Sequence, residues 1–350
     1  MNNVLSVKNL SKTYLGGYNA INNISFELDK AEKLAVLGGY SSGKTTILSL
    51  IAGLETVTDG EIYLNNKLIN NSKIKDRSIG FLDKSLQLDN MKNVTDNVIF
   101  PLKIRKFDES VITERLVRIA KAFDLSGILT EKISNLSQYQ KTLVALARLM
   151  IFDRDLYLID DIFSSLNNVE IDQVISKLQK TTKYKTIIYA THSYKTALKL
   201  NIENVVVLAY STMIHCGNIY DEENLMHTIA GAKLLNSMHV CCLPAIISGK
   251  KLIVNNRPYI YEKELVSDVF DRGIVLIKKE NIAFDSSKQI VVHAEIYYIN
   301  EDNVAYLDIN GLIATIDLDK KYHIGDILTF SFDLSDGILY DFESERMISK

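Results

Sequence analysis

The feature that most constrains this chain is the run GGYSSGKTT at residues 38–46, set between an apolar segment, KLAVL, and an apolar helical pattern, ILSLIAGL. A strand leading into GxxxxGK[ST] and then a helix is the context in which that motif has meaning as a phosphate loop. Gly38 and Gly43 let the chain turn so that successive N–H groups point inward, and the following helix presents its positive end to the same point. Lys44 would reach the β- and γ-phosphates, and the Thr45 hydroxyl would ligate Mg²⁺. Thr46 closes the motif in the first helical turn. The pattern calls for a nucleoside triphosphate.

A loop of this kind belongs to an open parallel sheet, and the first two hundred or so residues alternate β-branched runs with helical patterns accordingly. Residues 34–37 (LAVL), 156–159 (LYLI) and 186–190 (TIIYA) are near-continuous apolar strands, as expected where both sheet faces are covered. Asp160 ends the second of these, where such sheets bind ligands, and its carboxylate could hold Mg²⁺ together with Thr45. After about Asn236 the texture changes to short strands at close spacing separated by Gly, Asp, Asn and Lys, an all-β pattern. The 350 residues are enough for two cores. The predicted architecture is an α/β P-loop nucleotide-binding domain over 1–236, with an inserted helical subdomain at about 90–150, followed by a smaller all-β domain over 237–350.

Charge narrows the partners. Forty basic and 43 acidic side chains leave a net charge of −3, and the C-terminal region lacks a basic stripe interleaved with aromatics, so no nucleic-acid partner is expected. No apolar run approaches the ~20 residues of a spanning helix and the N-terminus has no signal-like h-region, which predicts a cytoplasmic chain. Three cysteines, Cys216, Cys241 and Cys242, fit neither a disulfide framework nor a zinc site, and six scattered histidines suggest no transition metal.

Between the two nucleotide motifs, LSQYQKTLVALARL at 136–149 resembles the signature segment of ABC-transporter ATP-binding subunits, usually LSGGQ followed by a helix. The resemblance extends along the chain. Tyr14 lies where the family's adenine-stacking aromatic would be, SSLN at 164–167 matches the D-loop, and Thr191-His192 matches the switch histidine. Residues 274–285 (IVLIKKENIAFD) and 323–348 resemble the OB/TOBE-like regulatory domain of importer ATPases of the maltose, multiple-sugar and glycerol-3-phosphate group.

The resemblance implies the ATP-binding subunit of an importer for a sugar or related solute, held at the inner face of the membrane by transmembrane permease subunits. It also implies a second ABC ATPase chain. Two nucleotide domains would pair head to tail, each ATP lying between the phosphate loop of one and the signature, here Ser137 and Gln140, of the other. His192 would orient the γ-phosphate.

Four positions depart from the family pattern. The residue after Asp160 that would act as general base is Asp161 rather than Glu, which withdraws the carboxylate by about 1.5 Å. Counting back from NVTDNV at 93–98, the Q-loop glutamine position falls on Lys84, which cannot ligate Mg²⁺ but could contact the γ-phosphate, and Gln87 could substitute only with a three-residue shift. Gln138 and Tyr139 replace the two signature glycines, and the tyrosine ring is expected to obstruct a close approach. Asn167 replaces the D-loop aspartate. These changes predict slow hydrolysis and pairing with a more complete ATPase, or else a non-catalytic subunit that only binds ATP.

Overall fold

The structure is a computed structural model that describes residues 3–235, 240–248, 251–254, 257–260, 272–299, 303–309, 312–318 and 321–348. It divides into two compact units, Met1–Tyr220 and Asp221–Lys350.

The first unit runs β1 (Asn3–Thr13), β2 (Asn19–Asp29), β3 (Lys33–Gly38), α1 (Lys44–Ala52), β4 (Asp59–Leu64), β5 (Lys67–Leu68) and β6 (Ile79–Leu82). It continues α2 (Val94–Ile104), α3 (Glu109–Ala122), α4 (Gln138–Met150), β7 (Leu156–Asp160), α5 (Asn168–Thr181), β8 (Ile187–Thr191), α6 (Tyr194–Lys199), β9 (Asn204–Ala209) and β10 (Thr212–Asn218). One sheet has the order β10-β9-β3-β8-β7-β6, parallel except for the β10 edge. Every residue of β7 and β8 is buried, which is why these segments read as unbroken apolar runs.

The second sheet, β2-β1-β4-β5, is antiparallel. The core lies between the two sheets and α1, where Leu5, Leu10, Ile24 and Leu28 meet Ile47, Leu48, Ile51, Val36, Leu158 and Ile188. Helices α2, α3 and α4 pack on one another within the span expected for the helical subdomain. Side chains stop the helices cleanly: Asn93, Ser137, Asn167 and Ser193 each accept the N3 amide of α2, α4, α5 and α6, satisfying an otherwise orphaned donor.

The second unit opens with α7 (Glu222–Leu225) and α8 (Ile229–Leu235) and continues with β11 (Val240–Ser248), β12 (Lys251–Val254), β13 (Arg257–Ile260), β14 (Arg272–Lys278), β15 (Ile290–Ile299), β16 (Val304–Ile309), β17 (Leu312–Asp317), β18 (Ile327–Phe332) and β19 (Ile338–Asp341). Two antiparallel sheets, β13-β12-β11-β14-β19 and β17-β16-β15-β18, close on one core that contains Leu243, Val275, Ile296, Leu307, Phe330 and Phe332.

Alternation along β11 sends Cys241 into this core and Cys242 to the opposite face, where it packs with Ile229, Ala232, Ile274 and Tyr340. The unit boundary therefore falls between Tyr220 and Asp221 rather than after Asn236, because α8 buries Ile229 and Ala232 against the β-sheet. Among the described residues no helix is long and apolar enough to cross a membrane.

Candidate functional site

The phosphate loop leaves β3 at Gly38 and enters α1 at Lys44 through Gly43, whose φ of 101° favours glycine. Both glycines are sterically fixed as well. A Cβ on Gly38 would lie 2.4 Å from Ser42 Oγ and 2.6 Å from the Leu208 carbonyl, and one on Gly43 would lie 2.7 Å from the Ala20 carbonyl. Lys44 is 9% exposed, and its Nζ donates to the carbonyls of Gly38 at 2.8 Å and Gly39 at 2.6 Å. Burial pulls its ammonium below the usual value while Asp161 and Asp160 act the other way. Thr46, half-buried, sits one residue beyond Thr45 in the first turn of α1.

The Thr45 hydroxyl donates to Asp160 Oδ2 at 2.6 Å. Asp160 is 4% exposed, and burial pushes its carboxyl above the ordinary range. The Thr45 bond offsets part of that rise, Asp161 adds to it, Lys44 opposes it and Asp83 adds again. Asp83 reaches this neighbourhood through register: Leu82 of β6 pairs with Ile159 of β7, so each strand delivers an aspartate at the next position. Its carboxylate also accepts from the Ser85 amide at 2.9 Å and from Gln87 Nε2 at 2.9 Å.

Asp161 takes a left-handed φ of 45°, and its amide donates to the Ala190 carbonyl at 2.9 Å. Its Oδ1 lies 3.4 Å from His192 Nδ1, close but not aligned for a hydrogen bond. The His192 ring stacks on Tyr40 at a centroid distance of 5.5 Å and an interplanar angle of 25°. The Tyr189 hydroxyl is buried with no hydrogen-bond partner among the described residues. Burial and then Asp161 hold it well above the usual phenol range, so it stays protonated.

Lys84 follows Asp83 on the exposed side of the loop after β6, one residue beyond the position that register sets beside Asp160. The same loop carries positive φ at Leu86 (57°) and Gln87 (46°). Arg148 of α4 clamps both, donating from Nη2 to the Leu86 carbonyl at 2.5 Å and from Nη1 to the Gln87 carbonyl at 2.7 Å. The signature helix and this loop are thus mechanically joined.

Ser137 and Gln140 form a reciprocal capping box at the start of α4, the serine Oγ accepting the Gln140 amide at 3.3 Å and the Gln140 Oε1 accepting the Ser137 amide at 3.0 Å. Tyr139 is half-buried and lines a groove with Gln173, Ser176 and Lys177 of α5. Asn167 is committed to its own capping box with Glu170. Tyr14 sits at the end of β1, with Lys12 Nζ 5.0 Å from its ring centroid.

A hydroxyl and a buried, incompletely neutralised carboxylate in direct contact are hard oxygen donors, and they fit a small divalent cation such as Mg²⁺. Inward-turned loop amides, Lys44 and the start of α1 supply the anion-binding half. Asp83, Tyr40 and Tyr189 escaped the sequence reading. An acid directly after the apolar strand IGFL was the available signal for Asp83.

A protein-family model described as ABC transporter matches residues 21–164. The oligosaccharides import ATP-binding protein MsmX of Bacillus subtilis is 27% identical over 98% of this chain and 99% of its own. The sn-glycerol-3-phosphate import ATP-binding protein UgpC of Vibrio vulnificus is 29% identical over 77% of this chain and 74% of its own. The structure of cbiO1 from Clostridium perfringens, described as part of the ABC transporter complex cbiONQ, superposes with a TM-score of 0.59 at 26% identity, covering 65% of this chain and 94% of that one. The dimeric ATP-binding cassette MJ0796, bound to ADP and phosphate, shares the fold with a TM-score of 0.56 at 24% identity, covering 61% of this chain and 98% of that one.

Proposed function

We propose, from the chain's membership of the ABC transporter ATP-binding family, that it is the ATP-binding subunit of an importer and couples binding and slow hydrolysis of Mg-ATP to movement of a sugar or related small solute. The observation that carries this reading is the contact of the Thr45 hydroxyl with the buried Asp160 carboxylate beside Lys44, at the mouth of a phosphate loop. Likeness to MsmX along nearly the whole chain, all-β unit included, supports the importer assignment.

The residues divide the work. Lys44 exchanges the Gly38 and Gly39 carbonyls for phosphate oxygens, and the loop amides add further donors. Thr45 with Asp160 would hold Mg²⁺, which when bound would neutralise phosphate charge during transfer. Asp161 takes the proton of the attacking water, and His192 beside it donates to the γ-phosphate. The shorter arm of Asp161 keeps this base from its full ~10²–10⁴-fold contribution. Ser137 and Gln140 would serve the second site of a pair formed with a more complete ATPase. Arg148 would carry closure from the signature helix to the loop that faces the permease subunits. Through those subunits the chain would sit at the cytoplasmic face of the membrane.

A second reading, an ATP-binding subunit without turnover, is favoured by the Asp161 geometry alone: a short acid at φ 45° already set against His192. Asp161→Glu separates the two. Added turnover marks a weakened enzyme, and an inert variant that still binds ATP marks a non-catalytic subunit.

A further inference from the structure

Tyr14 closes β1 opposite Tyr18, its amide donating to the Tyr18 carbonyl at 2.9 Å across a turn made of Leu15, Gly16 and Gly17. Facing positions on a hairpin carry their side chains to the same face. The two rings are nearly parallel, with an interplanar angle of 18° and a centroid separation of 6.5 Å. A flat ring held between two others needs about 3.5 Å on each side, and two near-parallel rings on one face of a hairpin have the orientation that such a slot requires.

The rest of the hairpin suits that use. Lys12 is 6% exposed and fixed by the Thr56 carbonyl at 2.7 Å and Glu55 at 3.2 Å, and its ammonium lies 5.0 Å from the Tyr14 ring centroid, which anchors this wall. The other wall can give: Tyr18 is 57% exposed and follows Gly16 and Gly17, which have φ of 99° and 84° and open space where a Cβ would lie. Two residues past Tyr18, the Ala20 carbonyl touches the Cβ position of Gly43, which ties the hairpin to the end of the phosphate loop. The hairpin therefore lies next to the loop that would hold the phosphates.

We propose that Tyr18 is a second base-binding residue and that Tyr14 and Tyr18 form a slot that sandwiches the purine of the bound nucleotide. The proposal rests on the ATP-binding reading above and adds a residue to it. A single aromatic offers a base one face; two offer both, and stacking is tolerant of base identity. The slot would therefore strengthen binding of ATP and GTP alike rather than choose between them.

The test compares ATP, GTP and inorganic tripolyphosphate, which has no base, in equilibrium binding to the full-length chain. Tyr18→Ala is expected to weaken ATP and GTP about tenfold each, the scale of one lost stacking contact, with tripolyphosphate unchanged. Tyr18→Phe keeps the ring and should retain wild-type affinity. Unchanged ATP affinity in Tyr18→Ala would overturn the proposal, as would equal losses for ATP and tripolyphosphate, which would mean only a disturbed hairpin. Wild-type protein that bound tripolyphosphate as tightly as ATP would refute the slot and leave the phosphate loop standing. Wild-type protein that bound neither would refute both.

Discussion

Replacing Asp160 with Asn should make the empty protein more stable and the nucleotide-loaded protein weaker. Asp160 is 4% exposed in a strand buried at every residue, and Lys44, the nearest cation acting on it, spends its ammonium on the Gly38 and Gly39 carbonyls. One hydroxyl, from Thr45, is left to satisfy the carboxylate directly. Asn keeps an acceptor for that hydroxyl and removes a poorly compensated buried charge, a change worth about 1–2 kcal/mol. For a unit of this size that is a rise in Tm of about 2–6 °C.

Burial raises the folded-state pKa of Asp160 above 3.8, so the favourable contribution of its protonated form is present below the unfolded pKa and lost as pH rises through the folded one. The stability gap between variant and wild type should accordingly be widest near neutral pH and close as the solution is acidified. Scanning calorimetry without nucleotide across that range measures the gap. Titration with Mg-ATP should show weaker binding by the same variant. A variant that melts below wild type at neutral pH, or a gap indifferent to acid, would refute the picture of a strained metal-binding carboxylate.

Other expectations bear on neighbouring elements. Asp161→Glu advances the carboxylate by about 1.5 Å and should raise phosphate release at least about tenfold; unchanged turnover would exclude the short base as the limiting defect. Gly38→Ala sets a Cβ 2.6 Å from the Leu208 carbonyl, which the sheet holds in place, so it should cost about 1–3 kcal/mol in chemical denaturation and abolish nucleotide binding. Arg148→Met strands the Leu86 and Gln87 carbonyls and should cost about 2–3 kcal/mol, with faster proteolysis in that loop as an independent readout.

The parts of the site visible in the sequence are those whose chemistry is local. Gly38, Gly43, Lys44 and Thr45 lie in one turn between a strand and a helix, and both glycines meet contacts that forbid a side chain. Asp160 was legible because it ends an apolar run. Asp83 was not, because its place beside Asp160 depends on the pairing of β6 with β7, strands far apart in the chain. Tyr40 and Tyr18 are informative only through the rings they face, His192 and Tyr14, and Tyr189 only through the burial of its hydroxyl. The Ser137–Gln140 spacing reads equally as a signature and as a capping box, and the fold uses it at least as the latter. A boundary set at 236 by the change of texture assigns residues 229–235 to the first domain, whereas Ile229 and Ala232 pack with Cys242, Ile274 and Tyr340 of the second unit.

The most direct test of the whole account is steady-state phosphate release from the purified chain with Mg-ATP, with Lys44→Ala as the blank. Slow turnover above the blank, raised by Asp161→Glu, is the predicted result. Turnover no greater than the blank in both wild type and Asp161→Glu would contradict the chain's role as a weakened but working ATPase.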